Sequence, residues 1–65
     1  MKLKINGEER QVQAIDLQDL MEELCYSGAK VATARNGEIV HKGDRADTAL
    51  TAGDAIEIVA PMQGG

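Results

Sequence analysis

Three two-residue turn signals divide this 65-residue chain: Asn6-Gly7, Asn36-Gly37 and Gly53-Asp54. Asn-Gly suits a type I′ turn, which needs positive φ at both central residues and reverses a strand tightly. Before the first turn, Met1-Lys2-Leu3-Lys4-Ile5 alternates apolar and charged residues, the period of a half-buried strand. Met1, Leu3 and Ile5 are predicted to face a core, and Lys2 and Lys4 to face water. A polar return strand follows over residues 8–14, with Val12 as its best inward candidate. Residues 1–14 therefore read as a β-hairpin.

The period then changes. Leu17, Leu20, Met21 and Leu24 fall at i, i+3, i+4 and i+7, which is one face of a helix. Gln18, Asp19, Glu22 and Glu23 take the wet side. Asp16 is the predicted N-cap, accepting from N–H groups of the first turn, and Asp19 suits the positive end of the helix dipole. Ser27-Gly28 is predicted to stop the helix. Residues 31–35 read as a third strand whose inward face the side-chain sizes leave open. Beyond Asn36-Gly37, residues 38–41 form a short fourth strand. Residues 44–52 have no clean period and read as loop or a helical turn, with Leu50 plugging the core. Residues 55–60 form the last strand, with Ile56 and Ile58 on one face.

One small domain is all this length supports, and it is marginal by size alone. The sequence has no Trp or Phe and one Tyr, so its core is aliphatic. Its single Cys cannot form an internal disulfide, and no Cys/His cluster is present to hold zinc. A net charge of −4 disfavours nucleic-acid phosphates and anionic membranes, and permits a partner with a basic patch. No signal peptide and no apolar run of transmembrane length is present. A cytoplasmic protein with a reduced thiol is expected.

The order strand, strand, helix, strand, short strand, strand is that of a β-grasp, an α+β fold. It predicts a mixed sheet of roughly four to five strands with one helix packed across it. The last strand is expected to pair in parallel with the first, the helix making the crossover. Residues 1–60 are the expected domain. Pro61 lacks a backbone donor and stops the last strand, so residues 61–65 are expected to form a flexible tail. Gly64-Gly65 has no Cβ atoms and could enter a channel closed to larger residues. The inferred chemistry sits on the Gly65 carboxylate.

Residues 31–40 (VATARNGEIV), residues 50–59 (LTAGDAIEIV) and the terminal Gly64-Gly65 together resemble the ThiS family of sulfur carriers in thiamine biosynthesis. The resemblance implies a ubiquitin-like fold. It implies that a ThiF-like adenylyltransferase, using ATP and magnesium, adenylates the terminal carboxylate, with no cofactor bound by the carrier itself. A sulfur-delivery enzyme then replaces AMP by sulfur originating from cysteine. A ThiG-like thiazole synthase takes that sulfur from the thiocarboxylate. Gly65 matches the reactive residue and Gly64 the glycine before it. Competing readings are the small subunit of molybdopterin synthase (MoaD-like), a ubiquitin-like protein modifier, and a binding module whose Gly-Gly is incidental.

Next to that end, Met62 and Gln63 are candidate tail-recognition residues. Val59 alternates with Ile58 and is expected on the sheet's open face as a partner contact. Arg35, expected on the same face, is a weaker candidate. Cys25 borders the helix's apolar face and reads as a small buried hydrophobe. His41, with no second ligand, reads as a surface residue. Glu8-Glu9 and Glu22-Glu23 point to different sides within each pair and read as solvated.

Overall fold

The alternation at the N-terminus becomes β1 (Lys2–Ile5), which buries Leu3 and Ile5 and exposes Lys2 and Lys4. The computed structural model describes residues 1–26 and 29–60. Asn6 (φ 51) and Gly7 (φ 86) make the left-handed turn that the dipeptide predicts. The chain returns as β2 (Glu8–Gln11), every residue of which is exposed. This strand is shorter than the sequence suggested, but Val12 and Ala14 beyond it still turn inward and are buried.

Helix α1 spans Leu17–Glu23, and the Asp16 carboxylate caps it by accepting from Asp19 N at 2.7 Å. Leu17, Leu20 and Met21 are buried, and Leu24 packs partly against the same cluster. The helix stops earlier than expected. Tyr26 N donates to Met21 O at 2.7 Å and Cys25 N to Glu22 O at 3.1 Å, a Schellman closure with Cys25 (φ 67) in the left-handed position. That turn swings Cys25 off the helical face. The thiol is exposed, not buried as the spacing implied. The expected stop at Ser27-Gly28 lies outside the described residues, as does the tail at residues 61–65.

Strand β3 (Ala32–Arg35) runs through a second Asn-Gly turn into β4 (Glu38–Val40). A 3₁₀ segment (Lys42–Asp47) follows, and β5 (Ala55–Val59) closes the sheet. The strand order is β2-β1-β5-β3-β4. β5 lies at the centre, parallel to β1 through Lys4↔Ala55 and Ile5↔Ile56, and antiparallel to β3 through four pairs from Ala32↔Val59 to Arg35↔Ile56. The parallel pairing expected of the last strand and the first is present. The order is that of a β-grasp, with α1 packed on one face.

The core holds Leu3, Ile5, Val12, Ala14, Leu17, Leu20, Met21, Leu50, Ile56 and Ile58. It is aliphatic throughout, as the composition required. Thr33 is buried and Ala32 exposed, which settles the inward face of β3. Arg35 shares its face with Thr33 by the two-residue period. The expectation that Arg35 lies on the open face is therefore corrected. No helix among the described residues is long and apolar enough to cross a membrane.

Candidate functional site

The candidate site is the C-terminal end of β5 with the sheet face that α1 leaves uncovered. Being central, β5 is held from both sides, so its end is fixed by neighbours rather than left at an edge. Ile56 and Ile58 point to the core, which sends Val59 to the open face, where it is 58% exposed. The register brings it beside Ala32, and places Ile39 beside Ala34 on the same face. Ile39 is 73% exposed. Ala32, Ala34, Ile39 and Val59 line a shallow apolar depression, with Glu57 at its margin.

Val59 is thus where the sequence placed it. Ile39 escaped notice, although its alternation with Val40, which packs against the core, carried the signal. Met62, Gln63, Gly64 and Gly65 lie outside the described residues. Arg35 does not join Val59. Its Nε donates to Asp54 Oδ2 at 2.8 Å from the core side of the sheet. Cys25 and His41 are both exposed, and no group of His, Cys, Asp or Glu among the described residues could hold a metal. Glu8, Glu9, Glu22 and Glu23 are all exposed. Glu23 nonetheless accepts from Gln13 N and Ala14 N, tying the hairpin's exit to the helix.

On the core side of the sheet, two charged groups are buried, Asp54 and Arg45. Asp54 accepts from Arg35 Nε, from Asn36 Nδ2 at 3.0 Å and from Thr51 N at 2.8 Å. Burial alone would push its carboxyl up. The bonds from Asn36, Thr51 and Arg35, with the Arg35 charge, outweigh burial and hold it below the ordinary value of 3.8. Arg45 is only 6% exposed. Its Nε donates to Thr33 Oγ1 at 3.1 Å and its Nη2 to Val31 O at 2.7 Å, while Thr33 Oγ1 donates to Val40 O at 2.8 Å. This clamp ties the 3₁₀ segment to β3 and β4. Nothing in the sequence around Arg45 announced its burial.

The site offers an apolar docking face beside an anchored strand end.

The chain aligns at 48% identity over 66 residues with a thiazole synthase of Paramagnetospirillum magneticum, covering all of this chain and 20% of that protein. The chain thus spans about a fifth of the length of the curated relative it matches. A crystal structure of the thiamine biosynthesis protein ThiS from Geobacter metallireducens superposes with a TM-score of 0.85 at 29% identity, over the full length of both chains. The solution structure of a thiamine biosynthesis protein from the same organism gives 0.80 at 28% identity, covering all of this chain and 88% of that one. The family model described as the ThiS family matches residues 3–65. The chain belongs to the ThiS family.

Proposed function

We propose that this chain is a sulfur carrier of thiamine biosynthesis, with the Gly65 carboxyl as the group that is activated and sulfurated. The observation that supports this most is the family match, which runs through Gly64-Gly65. A carboxylate is a poor acyl donor, because oxide would have to leave. In a ThiF-like adenylyltransferase holding ATP and magnesium, the Gly65 carboxylate attacks the α-phosphorus and expels pyrophosphate. A hydrosulfide equivalent from a sulfur-delivery enzyme then adds to the acyl carbon, and AMP leaves. The product is a thiocarboxylate.

The carrier is a protein co-substrate rather than an enzyme. Its folded body supplies recognition energy away from the reacting carbon. Val59 and Ile39 are the apolar contacts proposed for its enzymes, while Met62, Gln63 and Gly64 lead the glycine into a narrow channel. Arg35 lies outside that patch, committed to Asp54. A ThiG-like thiazole synthase is the proposed acceptor of the sulfur. The relative named thiazole synthase supports this, because it carries the same module within a longer chain.

The test is intact-mass analysis after incubation with the adenylyltransferase, ATP and a sulfur source. The chain should gain the mass difference between sulfur and oxygen. A heavier conjugate through a lysine would instead favour a protein modifier, and no product at all would overturn the reading. Deleting Gly65 should abolish the mass gain and leave the melting temperature nearly unchanged.

A further inference from the structure

β1 ends at Ile5 and turns away, yet β5 continues to Val59. The parallel ladder should therefore lapse after Asn6 N donates to Ile56 O at 2.9 Å. It does not lapse. Asn6 Oδ1 accepts from Ile58 N at 2.9 Å, and Asn6 Nδ2 donates to Ile58 O at 3.1 Å. These two atoms stand where the backbone carbonyl of residue 6 and the backbone N–H of residue 8 would stand had β1 run on. The carboxamide acts as one more peptide unit of β1, and it binds the last inward-facing residue of β5.

We propose that Asn6 is a positioning residue for the tail. It pins the end of β5 from which residues 61–65 continue, and so fixes the point from which the reacting glycine is delivered. This role rests on the proposed activation of Gly65. Without the carboxamide, the β1-facing groups of Ile58 have no protein partner among the described residues. The strand end is then held from β3 alone, through Thr33↔Ile58 and Ala32↔Val59. An enzyme that grips the folded body would meet a wandering tail origin, and fewer encounters would place the carboxylate in line with ATP.

Asn36 provides the matched control. It has the same φ of 51 in the same kind of turn. Its side chain bonds the opposite end of β5, accepting from Ala55 N at 2.9 Å and donating to Asp54 Oδ1 at 3.0 Å. Glycine suits both positions, so Asn6→Gly and Asn36→Gly each remove one carboxamide and keep the turn.

The experiment measures amide hydrogen exchange and carrier-dependent adenylation on the full chain and both variants. In Asn6→Gly the Ile58 amide should exchange about tenfold faster or more, with the Leu3 and Leu20 amides changing less. Its kcat for adenylation should fall about threefold to tenfold, with KM held within about twofold, because docking is intact and delivery is not. Asn36→Gly should lose thermal stability and keep its kcat. Asn6→Asp, which faces Ile58 O with an oxygen in place of a donor, should follow Asn6→Gly. Unchanged exchange at Ile58 overturns the role, as does an unchanged kcat with faster exchange. An equal fall in kcat for Asn36→Gly overturns it too, by showing a general effect of stability. A wild-type chain that the adenylyltransferase leaves unmodified overturns the reading of Gly65 and this role with it. Unchanged exchange with normal adenylation overturns the role of Asn6 alone.

Discussion

Asp54 is 7% exposed, and three donors touch its carboxylate. Arg35 is a third exposed, so its charge is partly screened and the hydrogen bonds carry most of the effect. The folded-state pKa lies below the ordinary 3.8, so the ionised form favours the folded state. This contribution is fully present above the unfolded pKa and is lost as pH falls through the folded one. Asp54→Asn should lower the unfolding free energy by about 1–3 kcal/mol at neutral pH. The gap from wild type should shrink once pH drops below 3.8. Denaturant titrations at neutral pH and at two acidic values check it. A gap independent of pH would show that shape, not charge, is what Asp54 supplies.

At the scale of elements, the helix carries two opposite predictions. Leu20 is fully buried beneath the middle of α1, and Leu20→Ala should cost about 2–5 kcal/mol through lost burial and the cavity left behind. In a domain this small, that removes much of the total stability. Cys25 pulls the other way. It holds φ 67 with its side chain in solvent, so it bears left-handed strain without packing in return. Cys25→Gly should raise stability by about 1 kcal/mol, seen as a higher melting temperature. The same residue shows where sequence reading stops. The helix face, the Asp16 cap, the two Asn-Gly turns and the central place of β5 follow from period and turn chemistry, and all are present. The helix end was misplaced because a cysteine, not a glycine, occupies the left-handed position. The face of β3 stayed open because Val31 and Thr33 are the larger side chains, while Ala32 and Ala34 could equally have been small to admit a helix lying close above them. Arg35 was put on the wrong face for the same reason. Arg45 was missed because burial of its guanidinium depends on the Thr33 hydroxyl and the Val31 carbonyl, which only the folded chain brings to it. Val59 was legible from alternation, whereas the double use of Asn6 needs the strand it touches to be in place.

Across the whole molecule, the uncovered sheet face has two unlike halves. Lys2 and Lys4 on β1 face Gln11 and Glu9 on β2 through direct pairs, giving a charged half on the hairpin side. Ala32, Ala34, Ile39 and Val59 give an apolar half on the other side, beside the end of β5. Single exposed aliphatics are ordinary, but two large ones joined by two alanines form a continuous patch. Its small residues leave the surface flat enough for a partner to approach the backbone closely. If the proposed enzymes grip this half, Ile39→Lys and Val59→Lys should each raise KM for adenylation about tenfold or more, as loss of an apolar anchor does. Stability should change by no more than about 0.5 kcal/mol, because both side chains already sit in water. Lys4→Gln, in the charged half, should change KM less than threefold, as a rim charge does. The pattern separates docking from delivery: patch substitutions should act on KM, whereas loss of the Asn6 carboxamide should act on kcat. Equal effects from both halves of the face would mean that charge steering, not the apolar patch, brings the carrier to its enzyme.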